Sequence, residues 1–204
     1  MKRILLTSAG LSDSLKELFF DNIGKKPDDI KIIFIPFAAT KCDSAREGIS
    51  ICISELIKMG IKEDNIFSYN LEYLLSDGYE RTYSSEITYL PMAYRPLMTS
   101  DIGQFDAIIF CGGDAGMLMK EMNITGFDSV VRDSVERGLF YIGVSAGSMV
   151  AAGNFKTGLR FIENEIIVHS EEGSWCGEIL GGETIFLKDG QAIYVSGREA
   201  KIVD

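Results

Sequence analysis

Basic residues are in short supply in this chain, with 20 Lys and Arg against 30 Asp and Glu, a formal net charge of −10 over 204 residues. Neither nucleic acid nor an anionic membrane surface is then expected as a partner, because both are held through basic patches. A small molecule or short peptide suits such a chain better. Long hydrophobic runs are lacking too: no stretch approaches the roughly 18–20 apolar residues of a membrane span. The amino-terminal run Ile4-Leu5-Leu6 after Lys2-Arg3 falls short of the roughly 7–15 residues of a signal-peptide core, so it reads as a first strand, Arg3 to Thr7, and a cytoplasmic address is expected. Cys42, Cys52, Cys111 and Cys176 form no CxxC pair and do not cluster with the single histidine, His169. That excludes a disulfide framework and a sequence-local metal site; the cysteines are expected to be reduced, buried thiols, and no metal or organic cofactor is implied. Internal repeats and low-complexity tracts are likewise missing.

What is present is enough for one domain with a core that needs no staples, since 46% of the residues are hydrophobic. Apolar runs of strand length recur at Ile4–Thr7, Ile30–Pro36, Ala107–Gly112 and Leu139–Val144. Their hydrophobicity is continuous rather than alternating, which means burial on both faces. The segments between them carry helical spacing: Leu15, Leu18, Phe19 and Ile23 within Leu11–Ile23; Ile49, Cys52, Ile53, Leu56 and Ile57 within Ala45–Met59; Val130, Val131 and Val135 within Phe127–Arg137. Strands alternating with helices predict a three-layer, doubly wound α/β fold, with a mostly parallel sheet and helices on both faces. Residues 76–103, with four tyrosines and Pro91 and Pro96, break the rhythm and read as an inserted loop beside the site or a surface excursion. The last stretch, Glu163–Val168, Thr184–Leu187 and Ala192–Val195, alternates more and predicts antiparallel strands extending the sheet edge, with a turn at Lys188-Asp189-Gly190.

The most informative stretch is Leu139 to Met149, an apolar strand running into Gly143-Val144-Ser145-Ala146-Gly147. Gly-x-Ser-x-Gly between a strand and a helix is a nucleophile elbow: the glycines permit a tight reversal that forces the serine into an exposed, strained position. Ser145 is therefore the candidate nucleophile, and the Ala146 N–H, at the positive end of the next helix, a candidate oxyanion donor. A hydroxyl needs a base near neutral pH, and the chain offers His169 alone. It follows Ile166-Ile167-Val168, at an expected strand end downstream of the nucleophile. For the group that orients the imidazole, Glu183 after Gly181-Gly182 is favoured, and Asp189, Glu171, Glu172, Glu163 and Glu165 stay open. Asp189 sits in a turn, where aspartate needs no functional reason. A second oxyanion donor is expected from Gly113 in Cys111-Gly112-Gly113-Asp114, which ends a buried strand at the carboxyl edge where open α/β sheets place ligands. Gly112 and Asp114 are the expected substrate-side contacts.

These residues together resemble the dipeptidase E-like serine peptidases, the family of aspartyl dipeptidase and cyanophycinase, whose fold is similar to class I glutamine amidotransferases. The resemblance rests on Ile4-Leu5-Leu6-Thr7-Ser8, Ile33-Phe34-Ile35-Pro36 with Ala38-Ala39, Phe110-Cys111-Gly112-Gly113 and Gly143-Val144-Ser145-Ala146-Gly147-Ser148, with Gly158-Leu159, His169 and Gln191-Ala192-Ile193 further on. It implies Ser145 as nucleophile, His169 as base and Gly113 with Ala146 as oxyanion donors. Hydrolysis of small peptides through an acyl-enzyme would follow, with a homodimer by analogy only. The family usually shows Gly-Gly-Asn or a similar polar residue followed by Thr and an apolar residue, where this chain has Gly-Gly-Asp-Ala-Gly-Met, which bears on the substrate-side contacts. Asp114 would repel an acidic substrate, so aspartyl specificity is not carried over. An amidotransferase would need cysteine where Ser145 stands. The non-enzymatic alternative is a small-molecule-binding or regulatory protein of the same fold with a decayed site.

Overall fold

A computed structural model describes residues 1–71, 91–179 and 181–204. Its centre is an eight-stranded sheet ordered β3-β2-β4-β5-β1-β9-β10-β7. The strands are β1 (Arg3–Thr7), β2 (Ile32–Ile35), β3 (Ile66–Ser68), β4 (Ala107–Phe110), β5 (Phe140–Val144), β7 (Gly177–Glu178), β9 (Ala192–Ser196) and β10 (Glu199–Val203), while β6 (Ile166–Ile167) and β8 (Ile185–Phe186) form a separate pair. From β3 to β1 all pairings are parallel; β9, β10 and β7 run antiparallel.

The continuous apolar runs have the expected cause. Alternate residues of each strand feed opposite faces: Ile4, Leu6, Ile33, Ile35, Ile108 and Phe110 join one core with residues of α5 (Ala115–Thr125), α6 (Phe127–Glu136) and α7 (Ala146–Ala151). Leu5, Ile32, Phe34, Ile109, Phe140 and Ile142 join another with Leu15 and Phe19 of α1 (Asp13–Ile23) and Leu56 of α3 (Glu47–Lys58). Helices on both faces of one sheet make the three layers. Short helices α2 (Phe37–Thr40) and α4 (Thr99–Ile102) complete the set among the described residues.

Several details differ from the sequence reading. Strand β3 was not foreseen, being three half-exposed residues at a sheet edge. Ile166–Ile167 and Ile185–Phe186 do not extend the main sheet; they pair with each other, and in parallel. Their alternation is real, since Ile166 and Ile185 are buried while Ile167 and Phe186 are exposed, but it reflects a small two-stranded element resting on the core by one face. The expected Ala192–Val195 segment does join the antiparallel edge, as β9, together with β10 and β7. Of the four free thiols only Cys111 is buried, and Cys176 is exposed. Most of the expected 76–103 insertion, residues 76–90, lies outside the described residues.

Its carboxyl-terminal part is anchored by a buried ion pair. Arg95 donates from both Nη atoms to the two Asp101 oxygens at 2.6 Å, with side chains only 8% and 13% exposed, and Met98 N–H donates to Asp101 Oδ2 at 2.8 Å. The hydrogen bonds from Arg95 hold the Asp101 carboxyl below the usual carboxylate range, against the opposing effect of burial. Its contribution is therefore complete above the unfolded-state value, near 3.9, and is lost as pH falls through the lower folded-state value. Asp101→Asn, which removes the carboxylate charge facing the buried guanidinium, should cost about 3 kcal/mol in urea denaturation at pH 7, and the deficit against wild type should shrink in strong acid. A deficit unchanged with pH would show that the carboxylate charge is not what matters.

Candidate active site

The sheet order brings four loops to one edge. Strands β4, β5 and β1 end there, and antiparallel β9 begins there, with Thr7 in register with Val144 on one side and Ala192 on the other. The residues just beyond these ends are Gly112-Gly113, Ser145, Ser8 and the Asp189–Gln191 turn.

Ser145 has φ 49° and ψ −103°, outside the regions a serine ordinarily occupies, a strain of about 1–3 kcal/mol that the surroundings must hold. They hold it by backbone packing. A Cβ on Gly143 would lie 2.5 Å from the Gly147 carbonyl carbon, and one on Gly147 would lie 2.6 Å from both Cβ and O of Phe110. Glycine at both positions lets the β5–α7 turn close on itself and on β4. Ser145 N–H donates to Thr7 O at 3.0 Å; buried Ser148 donates from Oγ to Gly143 O at 2.7 Å and Thr7 O at 2.8 Å; Tyr141 OH donates to Gly147 O at 2.7 Å.

His169 Nε2 lies 3.1 Å from Ser145 Oγ. Its Nδ1 lies 2.8 Å from Asp189 Oδ1, so a neutral ring protonated on Nδ1 donates to the carboxylate and leaves Nε2 to accept from the serine hydroxyl. Partial burial works to raise the Asp189 carboxyl, but hydrogen bonds from His169 and Ser8 outweigh it and hold the group below its ordinary range. Asp189 is thus a carboxylate throughout the neutral range. Both side chains remain open to solvent, 52% exposed for His169 and 64% for Asp189. His169 has φ 56°, a second non-glycine residue in the left-handed region.

The carboxylate beside His169 is that of Asp189 and not of Glu183, which corrects the favoured expectation. Glu183 is exposed, and its main-chain carbonyl accepts from Asn164 Nδ2 at 2.8 Å. It belongs to the approach to β8, whereas Asp189 precedes β9 and so stands at the edge where β5 delivers Ser145. Glu163 pairs with Arg160, and Glu165 gives its carbonyl to Ile185 N–H at 2.9 Å. Glu171 and Glu172, with Ser170, Gly173, Ser174 and Phe186, line a cleft of about 460 Å3 that has none of Ser145, His169 and Asp189 in its lining.

Gly112 flanks Ser145, since a Cβ there would sit 3.3 Å from Ser145 Cβ and 3.9 Å from its Oγ. Gly113, at φ 134°, lies so close to α2 that a Cβ would fall 2.2 Å from Ala38 O. Ala146 is the first residue of α7, where helix geometry leaves the N–H without an intrahelical acceptor. Asp114 is engaged otherwise than expected: its Oδ1 accepts from Met117 N–H at 2.8 Å and caps α5, and its own N–H donates to Ala38 O. Among the described residues no group of three or more His, Cys, Asp or Glu is placed to hold a metal ion, and no helix is long and apolar enough to cross a membrane. Sequence reasoning gave Ser8 no role, although Ile4-Leu5-Leu6-Thr7-Ser8 was among the segments that carried the resemblance.

A doubly wound sheet that gathers a serine, a histidine and a carboxylate at the carboxyl ends of its parallel strands has the architecture of a hydrolase. Comparison with known proteins narrows the class. The family model of peptidase family S51 matches residues 79–166, a stretch that includes Gly112-Gly113 and the elbow and stops short of His169. A protein of Listeria monocytogenes EGD-e described as a candidate peptidase E shares the fold over 100% of this chain and 98% of its own, with a TM-score of 0.67 and 18% identity. A peptidase from an acI-B1 Actinobacterium does so over 100% and 87%, with a TM-score of 0.57 and 16% identity. No curated protein sequence matches the chain. The family match covers fewer than half of the 204 residues, and together with the shared fold it supports a peptidase of the S51, dipeptidase E-like kind.

Proposed function

We propose that the protein is a serine peptidase that hydrolyses small peptides, with Ser145 as nucleophile, His169 as general base and Asp189 as the group that orients the imidazole. The observation that carries this reading is the continuous chain Ser145 Oγ, His169 Nε2, His169 Nδ1, Asp189 Oδ1, with spacings of 3.1 and 2.8 Å. Ser145 Oγ adds to the scissile carbonyl carbon while its proton passes to His169 Nε2. The resulting imidazolium lies against the Asp189 carboxylate, and the oxyanion faces the N–H groups of Ala146 and Gly113. His169 then gives its proton to the leaving amine, the C–N bond breaks, and an acyl-Ser145 ester remains. Water attacks that ester as His169 takes its proton; the C–O bond to Ser145 then breaks, the proton passes from His169 to Oγ, and the carboxylic acid product leaves.

That the substrate is a small peptide is inferred from the match to peptidase family S51 and the fold shared with a candidate peptidase E. The test is reaction with a fluorophosphonate probe followed by peptide mapping. Stoichiometric modification at Ser145 is expected, followed by turnover of at least one member of a dipeptide panel. An unlabelled protein, or one labelled elsewhere, would overturn the reading and favour a binding protein of the same fold.

A further inference from the structure

We propose that Ser8 is a positioning residue of this site, the single hydroxyl that fixes His169 and Asp189 relative to each other and to Ser145; the proposal rests on the peptidase reading above. Ser8 is completely buried. Its Oγ accepts the main-chain N–H of His169 at 2.7 Å and donates to Asp189 Oδ1 at 2.9 Å, the same oxygen that faces His169 Nδ1. Serine Oγ, main-chain N–H, imidazole and carboxylate therefore close a ring in which the base is held at both ends.

The sheet explains why this residue is placed to do so. Strand β1 lies between β5, which delivers Ser145, and β9, which is preceded by Asp189. The end of β1 and the residue after it therefore reach both sides. Ser8 N–H donates to Gln191 O at 3.2 Å, and the preceding Thr7 O accepts the Ser145 N–H and the Ser148 hydroxyl, so Thr7-Ser8 grips the elbow with one residue and the histidine and aspartate loops with the next.

Two further facts give the hydroxyl a task. His169 holds a left-handed backbone conformation that costs a non-glycine residue about 1–2 kcal/mol, and its N–H finds its acceptor in Ser8. The His169 and Asp189 side chains are more than half exposed, so water competes for their mutual hydrogen bond. A buried donor on Asp189 Oδ1 holds the carboxylate still where the exposed pair alone would not. Alanine lacks the donor and the acceptor together. Threonine keeps both.

The test uses the fact that His169 is the only histidine in the sequence. Protein labelled with 15N-histidine reports one imidazole, and two-bond 1H–15N correlations from its carbon-bound protons give the tautomer without needing a slowly exchanging N–H. At alkaline pH the wild type should hold the proton mainly on Nδ1. Ser8→Ala should shift the ring toward the Nε2–H form that free imidazole side chains prefer and slow fluorophosphonate labelling about 10- to 100-fold, the scale of a lost hydrogen bond to a charged group. Ser8→Thr should restore both. In an Asp189→Ala background, Ser8→Ala should slow labelling further by no more than about twofold, because residues that act through one another are not additive. If Ser8→Ala does not fold, Ser8→Cys, with its weaker donor, should give an intermediate tautomer ratio.

A folded Ser8→Ala protein with the wild-type tautomer and labelling rate would overturn the proposal. So would losses that multiply fully with those of Asp189→Ala, which would mark Ser8 as merely structural. A wild type that is not labelled, but whose His169 tautomer still answers to Ser8, would overturn the peptidase reading and leave the positioning role supported.

Discussion

Ser145→Ala and His169→Ala should each lower hydrolysis of whichever dipeptide the wild type turns over by about 10⁶-fold in kcat, and the double variant should be hardly worse than either. The reason lies in the geometry of proton transfer. The hydroxyl of Ser145 is a poor nucleophile until Nε2, 3.1 Å away, takes its proton, and the base has nothing to act on without the hydroxyl. Asp189→Asn should cost less, about 10⁴-fold: the amide can donate its NH2 to Nδ1, which selects the tautomer with the proton on Nε2 and leaves no acceptor for the serine hydroxyl. Glu183→Gln, which alters a carboxylate away from His169, should change kcat less than twofold. Steady-state assays on purified, folded variants decide this. A Glu183→Gln loss as large as that of Asp189→Asn would reverse the assignment, and losses that multiply in the double variant would show that Ser145 and His169 do not act together.

Gly143→Ala should be among the most destabilising single changes in the chain. The added methyl would lie 2.5–2.6 Å from the Gly147 carbonyl carbon, its oxygen and the Ser148 nitrogen. None of these can rotate away as the tip of a side chain could; the whole β5–α7 turn must move, and with it the position of Ser145. Overpacking of a rigid site ordinarily costs about 1–3 kcal/mol, and a contact with main-chain atoms belongs at or above the upper end. At about 2–4 °C per kcal/mol for a chain of this length, the melting temperature should fall by about 6 °C or more. Gly48→Ala is the matched control. That glycine lies in α3 with nothing within 4 Å of a new Cβ, and alanine there should be neutral or stabilising by up to about 1 kcal/mol. Equal melting temperatures for the two variants would mean that the turn yields more easily than its packing implies.

The sequence carried the centre of the fold because burial on both faces leaves an unambiguous trace, four uninterrupted apolar runs that became β1, β2, β4 and β5. It carried the elbow for a related reason, as Gly143 and Gly147 are dictated by contacts within a few residues and one neighbouring strand. Marginal elements were less legible. Strand β3 is three residues long and only partly buried, and the partners of β6 and β8 depend on packing that a two-residue alternation does not encode. The third member of the site illustrates the harder limit. Asp189 stands in a turn before Gly190, where local chemistry alone accounts for aspartate, and only its meeting with His169 distinguishes it from Glu183. Ser8 was less visible still. Its partners are 161 and 181 residues away in sequence, and its buried state follows from the position of β1 between β5 and β9.

That central position of β1 has a consequence for the chain as it is synthesised. Strand β1 must wait for β5 to cover one edge and for β9 to cover the other, and β9 begins only at Ala192. A nascent polypeptide released only as far as Val168 can already close the Gly143–Gly147 turn but holds neither His169 nor Asp189. On the serine peptidase reading such a chain should be inactive, and competence should appear only once β9 is free to pair with β1.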